Sequence, residues 1–249
     1  MRSADHSTLR TIVRDWRRAL RSLASHWRFR LTRRVAGQFQ PYNYTRPDRY
    51  PWLFGFAAAE LRERPQLRIL SFGCSRGEEL FSLRRYFPSA HLKGIDINAR
   101  NIARAVARTR TDKTLAGIRF ETAASTVHEP DESYDAIFCL AVLCLGDLTI
   151  YGAKRSDPAL RFEDFARAVA DFARCLKPGG LLVLHTTNYR FCDTPTAAQF
   201  DTVLEAEPSQ LAPDVLFDRN NALMPNERYT AVAFRKRPIA LRHADPTDE

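Results

Sequence analysis

The chain reads as a doubly wound α/β protein built on a mainly parallel sheet. Three observations predict it. From Leu67 onward, apolar runs of strand length alternate with segments of helical spacing. The first run turns through glycines into a helix, in LRILSFGCSRGEELFSLRRYF. Further on, FARCLKPGGLLVLHTTNYRF places a helix, a Lys-Pro-Gly-Gly turn and a strand in succession.

The N-terminal segment carries most of the charge. The chain has 249 residues and a net charge of +9, and its first 40 residues hold ten arginines against two aspartates. Eight of the nine net charges therefore sit there, and the rest is near neutral. Leu9, Val13, Trp16, Leu20, Leu23, Trp27 and Leu31 recur at helical spacing. Residues 1–38 are thus expected to form a basic amphipathic helical arm, packed on the domain or lying on a membrane surface through residues 8–35. Nucleic acid is a poor fit as a partner, because no basic cluster continues into the main domain. Arginine outnumbers lysine 33 to five, a bias that suggests a GC-rich bacterial genome.

Residues 39–249 are expected to form one domain. FQPYNYTRPDRYPWLF, residues 39–54, is dense in proline, tyrosine and arginine. It predicts an ordered loop, either a surface strap or a lid over a ligand. Residues 55–64 read as a helix ended by Pro65. Strands are predicted at Leu67–Phe72, His91–Asp96, Ile118–Thr122, Ala136–Leu140 and Leu181–His185, and helices at Glu78–Phe87, Ala99–Arg108 and Phe162–Leu176. Residues 140–161 read as a substrate-side loop. A helix over Ala197–Glu205 and strands near Asp214–Phe217 and Tyr229–Phe234 close the chain.

Several classes are disfavoured. No run of 18 apolar residues suggests a membrane span, and MRSADHSTLR lacks the apolar core of a secretory signal. Five cysteines (Cys74, Cys139, Cys144, Cys175, Cys192) form no C-x-x-C pair, which predicts reduced thiols, no metal, and a cytoplasmic location, peripheral at the inner membrane face if the arm binds lipid.

The chemistry-bearing residues fall at strand ends. Gly73 and Gly77 are spaced wrongly for a G-x-G-x-x-G loop, and Ser75 takes the middle position. Asp96 ends the second strand, where a carboxylate can accept both hydroxyl protons of a ribose. These two features alone would also fit a nicotinamide-dependent oxidoreductase.

LKPGG before an apolar strand, together with GIDIN before a helix, resembles the class I S-adenosylmethionine-dependent methyltransferases over about Leu67–Tyr189. The resemblance implies a seven-stranded sheet with a C-terminal antiparallel hairpin, S-adenosyl-L-methionine as cofactor, and methyl transfer to oxygen or nitrogen of a small-molecule, sugar or lipid-linked acceptor. A non-catalytic methyltransferase-like binding module is the further alternative. By the same resemblance, Gly73, Cys74, Ser75 and Gly77 approach the methionine and ribose. Asp96 holds the ribose, Ile97 flanks the adenine, Ala124 and Ser125 meet its edge, and Leu140 and Ala141 line the methyl-donor pocket. Ser71 and Ser75 depart from the usual pattern. The GCSxGEE loop is similar to that of a subgroup including chemotaxis receptor methyltransferases, which implies that Glu78 takes the methionine ammonium. His185 and His128 are the candidate bases, His185 having a satisfied core histidine as its alternative. Tyr42, Tyr44, Arg49, Tyr50, Asn188 and Tyr189 are the candidate substrate contacts.

Overall fold

The computed structural model describes residues 37–62 and 66–238. The expected N-terminal helix lies outside them. Helix α1 (Pro51–Leu61) precedes strand β1 (Arg68–Phe72), helix α2 (Glu78–Tyr86), β2 (His91–Asp96), α3 (Ala99–Thr111), β3 (Arg119–Thr122) and β4 (Tyr134–Leu140). A short helix α4 (Gly146–Ile150), the long α5 (Phe162–Cys175) and β5 (Leu176–His185) follow. The chain then adds β6 (Phe200–Glu205), β7 (Leu216–Phe217), β8 (Leu223–Met224) and β9 (Ala231–Lys236).

Seven strands form one sheet in the order β3-β2-β1-β4-β5-β9-β6. The first five pair in parallel, and β9 runs antiparallel between β5 and β6. The chain winds outward from β1 to β3 and then resumes at β4 on the other side of β1. This reversal opens a crevice beyond the C-terminal ends of β1 and β4, the usual ligand position in open α/β sheets.

Alternation along the strands sends side chains to both faces. Leu70, Phe72, Ile137, Leu182 and Leu184 pack with Phe165, Val169 and Phe172 of α5. On the other face, Ile69, Ala136, Phe138 and Val183 pack with Leu53, Phe54, Leu80 and Leu83. All seven β4 residues are buried, as expected for a central parallel strand covered twice.

Three expectations need correction. Helix α1 begins at Pro51 inside the predicted loop, because proline at the first helical turn loses no hydrogen bond. Ala197–Glu205 is a 3₁₀ turn (Pro195–Gln199) followed by β6. Its apolar residues imitate helical spacing, but pairing with β9 decides the conformation. Asp214–Phe217 contributes only the two-residue β7, which pairs with β8 outside the main sheet.

The Lys-Pro-Gly-Gly turn is an irregularity at the start of β5. Pairing with β4 jumps from Tyr134↔Leu176 to Ala136↔Leu181. Gly179 takes φ 72°, and a Cβ on Gly180 would lie 2.8 Å from the Lys177 carbonyl oxygen. Close by, the buried Lys236 donates to the carbonyls of Ala173 and Leu176 at 2.8 Å each, satisfying the end of α5. Lys236→Met keeps the apolar stem and removes those donors. Urea unfolding is expected to show a loss of about 1–3 kcal/mol; an unchanged midpoint would mean that water replaces the ammonium without cost.

Candidate functional site

The crevice at the C-terminal ends of β1, β2 and β4 is a cavity closed over by residues 37–50. The loop after β1 meets the loop after β4 so closely that a Cβ on Gly73 would sit 2.4 Å from Val142 Cγ2. Gly73 also takes φ 72°, so this position needs glycine twice over. Three non-glycine residues nearby are left-handed as well: Ser75 (φ 50°), Ala141 (φ 58°) and Thr186 (φ 59°). Each costs on the order of 1–3 kcal/mol, and such strain concentrates at ligand sites.

Asp96 organises the floor. Its Oδ2 accepts from the Ser75 N–H at 2.8 Å, and its Oδ1 accepts from the Asn98 N–H at 2.8 Å and from Asn101 Nδ2 at 3.3 Å. Asn101 Nδ2 also donates to Asn43 Oδ1 of the overlying loop at 3.0 Å. A second tie from this loop runs from the Gln40 amide to the Ala141 carbonyl. Asn98 caps α3 through its side chain. The glycine loop, helix α3 and the overlying loop are therefore all referred to one carboxylate.

Most residues expected at the cofactor line this cavity: Gly73, Cys74, Ser75, Asp96, Ile97, Ala124, Leu140 and Ala141, with Tyr42, Tyr44, Arg49 and Tyr50 from the overlying loop. Gly77 does not. It caps α2 at φ 91°, and a Cβ there would meet Phe81 at 2.7 Å. Ser125 lies instead on an adjoining groove with Gly37 and Phe39.

Of the two adjacent glutamates, Glu79 and not Glu78 lines the cavity. Glu78 is buried beside Arg76 at 3.6 Å and is absent from the lining. Glu79 lines the cavity next to Ser71, and burial pushes its carboxyl up to about 7, against the pull of the Ser71 hydroxyl and the Arg49 charge. The Ser71–Glu79 approach does not close a hydrogen bond of ordinary geometry: Ser71 Oγ, Ser75 Oγ and Glu79 Oε1 are all buried without a partner among the described residues. Buried orphans of this kind cost free energy unless a ligand pairs with them. Glu78 and Glu79 are adjacent in sequence, so motif reading could not separate them; one helical step of about 100° does.

Arg49 enters from the overlying loop. Its guanidinium lies over the rings of Tyr44 (5.5 Å) and Tyr50 (5.0 Å). Its charge acts on Glu79, Asp214, Tyr50 and His185. Burial raises the Tyr50 hydroxyl, opposed by Arg49 and by a bond to Thr186. Tyr42 is largely exposed and donates to Asp147 Oδ1 of α4 at 2.8 Å.

The remaining candidates lie elsewhere. His185 is buried in the wall of a second cavity. Its Nε2 is 2.9 Å from the Gln210 carbonyl and its Nδ1 is 2.8 Å from Thr186 Oγ1, so both ring nitrogens are engaged. Burial lowers its pKa, and the bond to a carbonyl fixes the proton on Nε2. It is a satisfied histidine, not a poised base. His128 is exposed in the loop before β4 and lines neither cavity. Asn188 is fully buried; its Oδ1 accepts from the Leu145 N–H at 2.6 Å and its Nδ2 donates to the Val215 carbonyl at 2.8 Å. The Tyr189 hydroxyl lies 2.7 Å from Ser156 Oγ and 2.8 Å from the Leu160 carbonyl, with the ring packed on Phe162 and Phe165. Both residues brace the fold behind the cavities and have no surface for a substrate.

The family model described as a methyltransferase domain matches residues 70–184. A trans-aconitate 2-methyltransferase of Deinococcus radiodurans is 28% identical over 153 residues, 59% of this chain and 50% of the relative. An uncharacterized protein of Haemophilus influenzae is 27% identical over 119 residues, 47% and 41% of the two chains. This chain spans half or less of the length of these curated relatives. Among solved structures, a SAM-dependent methyltransferase from Geobacter sulfurreducens in complex with S-adenosyl-L-homocysteine has a TM-score of 0.40 at 21% identity, covering 56% of this chain and 49% of that one. The YcgJ protein of Bacillus has a TM-score of 0.45 at 15% identity, covering 75% and 95%. The matched segment runs from within β1 to within β5 and contains the glycine loop, Asp96 and the Lys-Pro-Gly-Gly turn. Residues 70–184 are thus similar to a methyltransferase domain.

Proposed function

We propose that the chain transfers a methyl group from S-adenosyl-L-methionine to oxygen or nitrogen of a small-molecule acceptor. One observation carries this reading: two carboxylates, Asp96 and Glu79, face a single cavity, and an oxygen of Glu79 has no partner among the described residues.

The residues suit the parts of that cofactor. After accepting from Ser75, Asn98 and Asn101, Asp96 keeps one lone pair of Oδ2 for a ribose hydroxyl. Glu79 offers an ammonium a buried carboxylate oxygen that has no partner among the described residues. Arg49 offers a carboxylate a guanidinium with no ion pair among the described residues. Leu140 and Ala141 supply the wall at the end of β4. The bound sulfonium would supply an activated methyl group. The protein's share is then to align the acceptor with it and to exclude water; the loop over residues 37–50 is placed to do the latter.

The same carboxylates argue against a nicotinamide dinucleotide. A pyrophosphate is normally held by backbone N–H groups and the positive end of a helix. Here Glu78 and Glu79 occupy the first turn of α2, which opposes a phosphate and favours a cation. Lipid-linked or sugar acceptors, and attachment to a membrane through residues 8–35, belong to this proposal as variants that the arm would decide. No helix among the described residues is long and apolar enough to cross a membrane.

Thermal shift with S-adenosylhomocysteine against NAD tests the reading. S-adenosylhomocysteine should stabilise the protein and NAD should not, and Asp96→Ala should weaken the former roughly tenfold or more. Stabilisation by NAD alone contradicts it.

Glu79 gives a signed pH effect. Its carboxyl is raised from 4.5 to about 7 in the folded protein, so the native state holds a proton that the unfolded state has released. Its contribution is complete below about pH 4.5 and falls as pH rises through about 7. Glu79→Gln should therefore stabilise the ligand-free protein by about 1–3 kcal/mol above that range, relative to wild type, while weakening S-adenosylhomocysteine. Equal pH dependence of wild type and variant in chemical denaturation would show that Glu79 is not the buried acid.

A further inference from the structure

A second cavity adjoins the first. Tyr50, on the wall of the first, stacks at 4.7 Å on His185, on the wall of the second. The second cavity lies beyond the end of β5, enclosed by residues 208–216 and 227–232. Leu184, Leu211, Pro213 and Val232 contribute to the apolar minority of a wall that is otherwise polar.

Most polar groups in this wall are already engaged. His185 is bonded at both nitrogens. The Thr187 hydroxyl donates to the Tyr189 carbonyl at 2.7 Å. Glu227 accepts from Arg190 at 2.9 Å, and the Tyr229 hydroxyl accepts from the Cys192 N–H at 3.3 Å. Arg228 is exposed. Asp214 differs. Its Oδ1 accepts from Thr149 Oγ1 at 3.1 Å, and Thr149 Oγ1 is itself fixed by the Val215 N–H at 3.1 Å. Its Oδ2 has no partner among the described residues. Burial raises this carboxyl, against the Thr149 bond and the Arg49 charge. Its own charge raises the thiol of Cys144, in the segment that leaves β4 just past the cofactor wall. Asp214 is thus a braced, half-buried carboxylate with one open oxygen, on the side of the sheet where β4 and β5 end.

We infer that this second cavity is the acceptor side of the domain and binds an amine, with Asp214 as its counter-charge. The inference rests on the methyltransferase reading above. A carboxylate acceptor would instead meet a wall whose open, half-buried charge is negative. In the transfer, an acceptor ammonium gives one proton to Asp214. The freed nitrogen lone pair forms the N–C bond as the C–S bond breaks, and that electron pair stays on sulfur. The proton then leaves Asp214 for water.

The test uses benzylamine, benzyl alcohol and benzoate as probes, titrated by calorimetry into the full chain with and without saturating S-adenosylhomocysteine. Benzylamine should bind more tightly than the other two. Asp214→Asn should weaken it about tenfold or more while leaving S-adenosylhomocysteine affinity within about twofold. If that variant does not fold, Ala212→Trp, which fills the cavity without removing a polar group, should abolish amine binding and spare S-adenosylhomocysteine. Benzoate binding as tightly as benzylamine, or amine binding indifferent to both variants, overturns the inference. Amine binding that depends on Asp214 in a protein that ignores S-adenosylhomocysteine sustains the cavity assignment and sinks the methyltransferase reading instead.

Discussion

The Asp96 carboxylate is the point on which the site is built. It accepts from the glycine loop through Ser75, from the start of α3 through Asn98, and from Asn101, which also reaches the overlying loop through Asn43. Ser75 belongs to the glycine loop, Asn98 and Asn101 to the start of α3, and Asn101 passes the tie on to the overlying loop. One side chain therefore sets the relative position of floor, wall and cover. A carboxylate that already organises its surroundings pays little further ordering cost when a ligand hydroxyl approaches.

Charge is distributed around that point in a pattern that a cationic ligand would complete. Among the described residues Glu79 Oε1 is buried without a partner, Asp214 accepts from Thr149, and Arg49 acts on both carboxyls without closing an ion pair. Arg49 comes from a loop tied down by Gln40, Tyr42 and Asn43, so the electrostatics of both cavities depend on how that loop sits. The short helix α4 connects the two sides, because Asp147 receives Tyr42 and Thr149 holds Asp214.

Much of this was legible in the sequence, and what was not has identifiable causes. Strands β1, β2, β4 and β5 were visible because buried parallel strands read as apolar runs between helical periods. Asp96 and the Lys-Pro-Gly-Gly turn stood out because each answers to a local backbone need. Helix and strand were confused at β6, where Phe200, Val203 and Leu204 fit either period and only the pairing with β9 decides. Glu78 was preferred to Glu79 because nothing in a sequence shows which of two adjacent side chains a helix turns toward the cavity. Asn188 and Tyr189 looked like substrate contacts because polar residues after a strand often are; they prove to be buried braces. Asp214 carried no motif at all, since its position depends on Thr149 and Arg49, both distant in sequence.

The central claim is that Glu79 receives the amino group of the methyl donor while Asp96 holds its ribose. The structure of the protein with S-adenosylhomocysteine bound tests this most directly. The account predicts the amino nitrogen within hydrogen-bond distance of a Glu79 carboxylate oxygen and the ribose hydroxyls at Asp96. An amino nitrogen held by main-chain carbonyls or by Glu78, with Glu79 still unpaired, would contradict it.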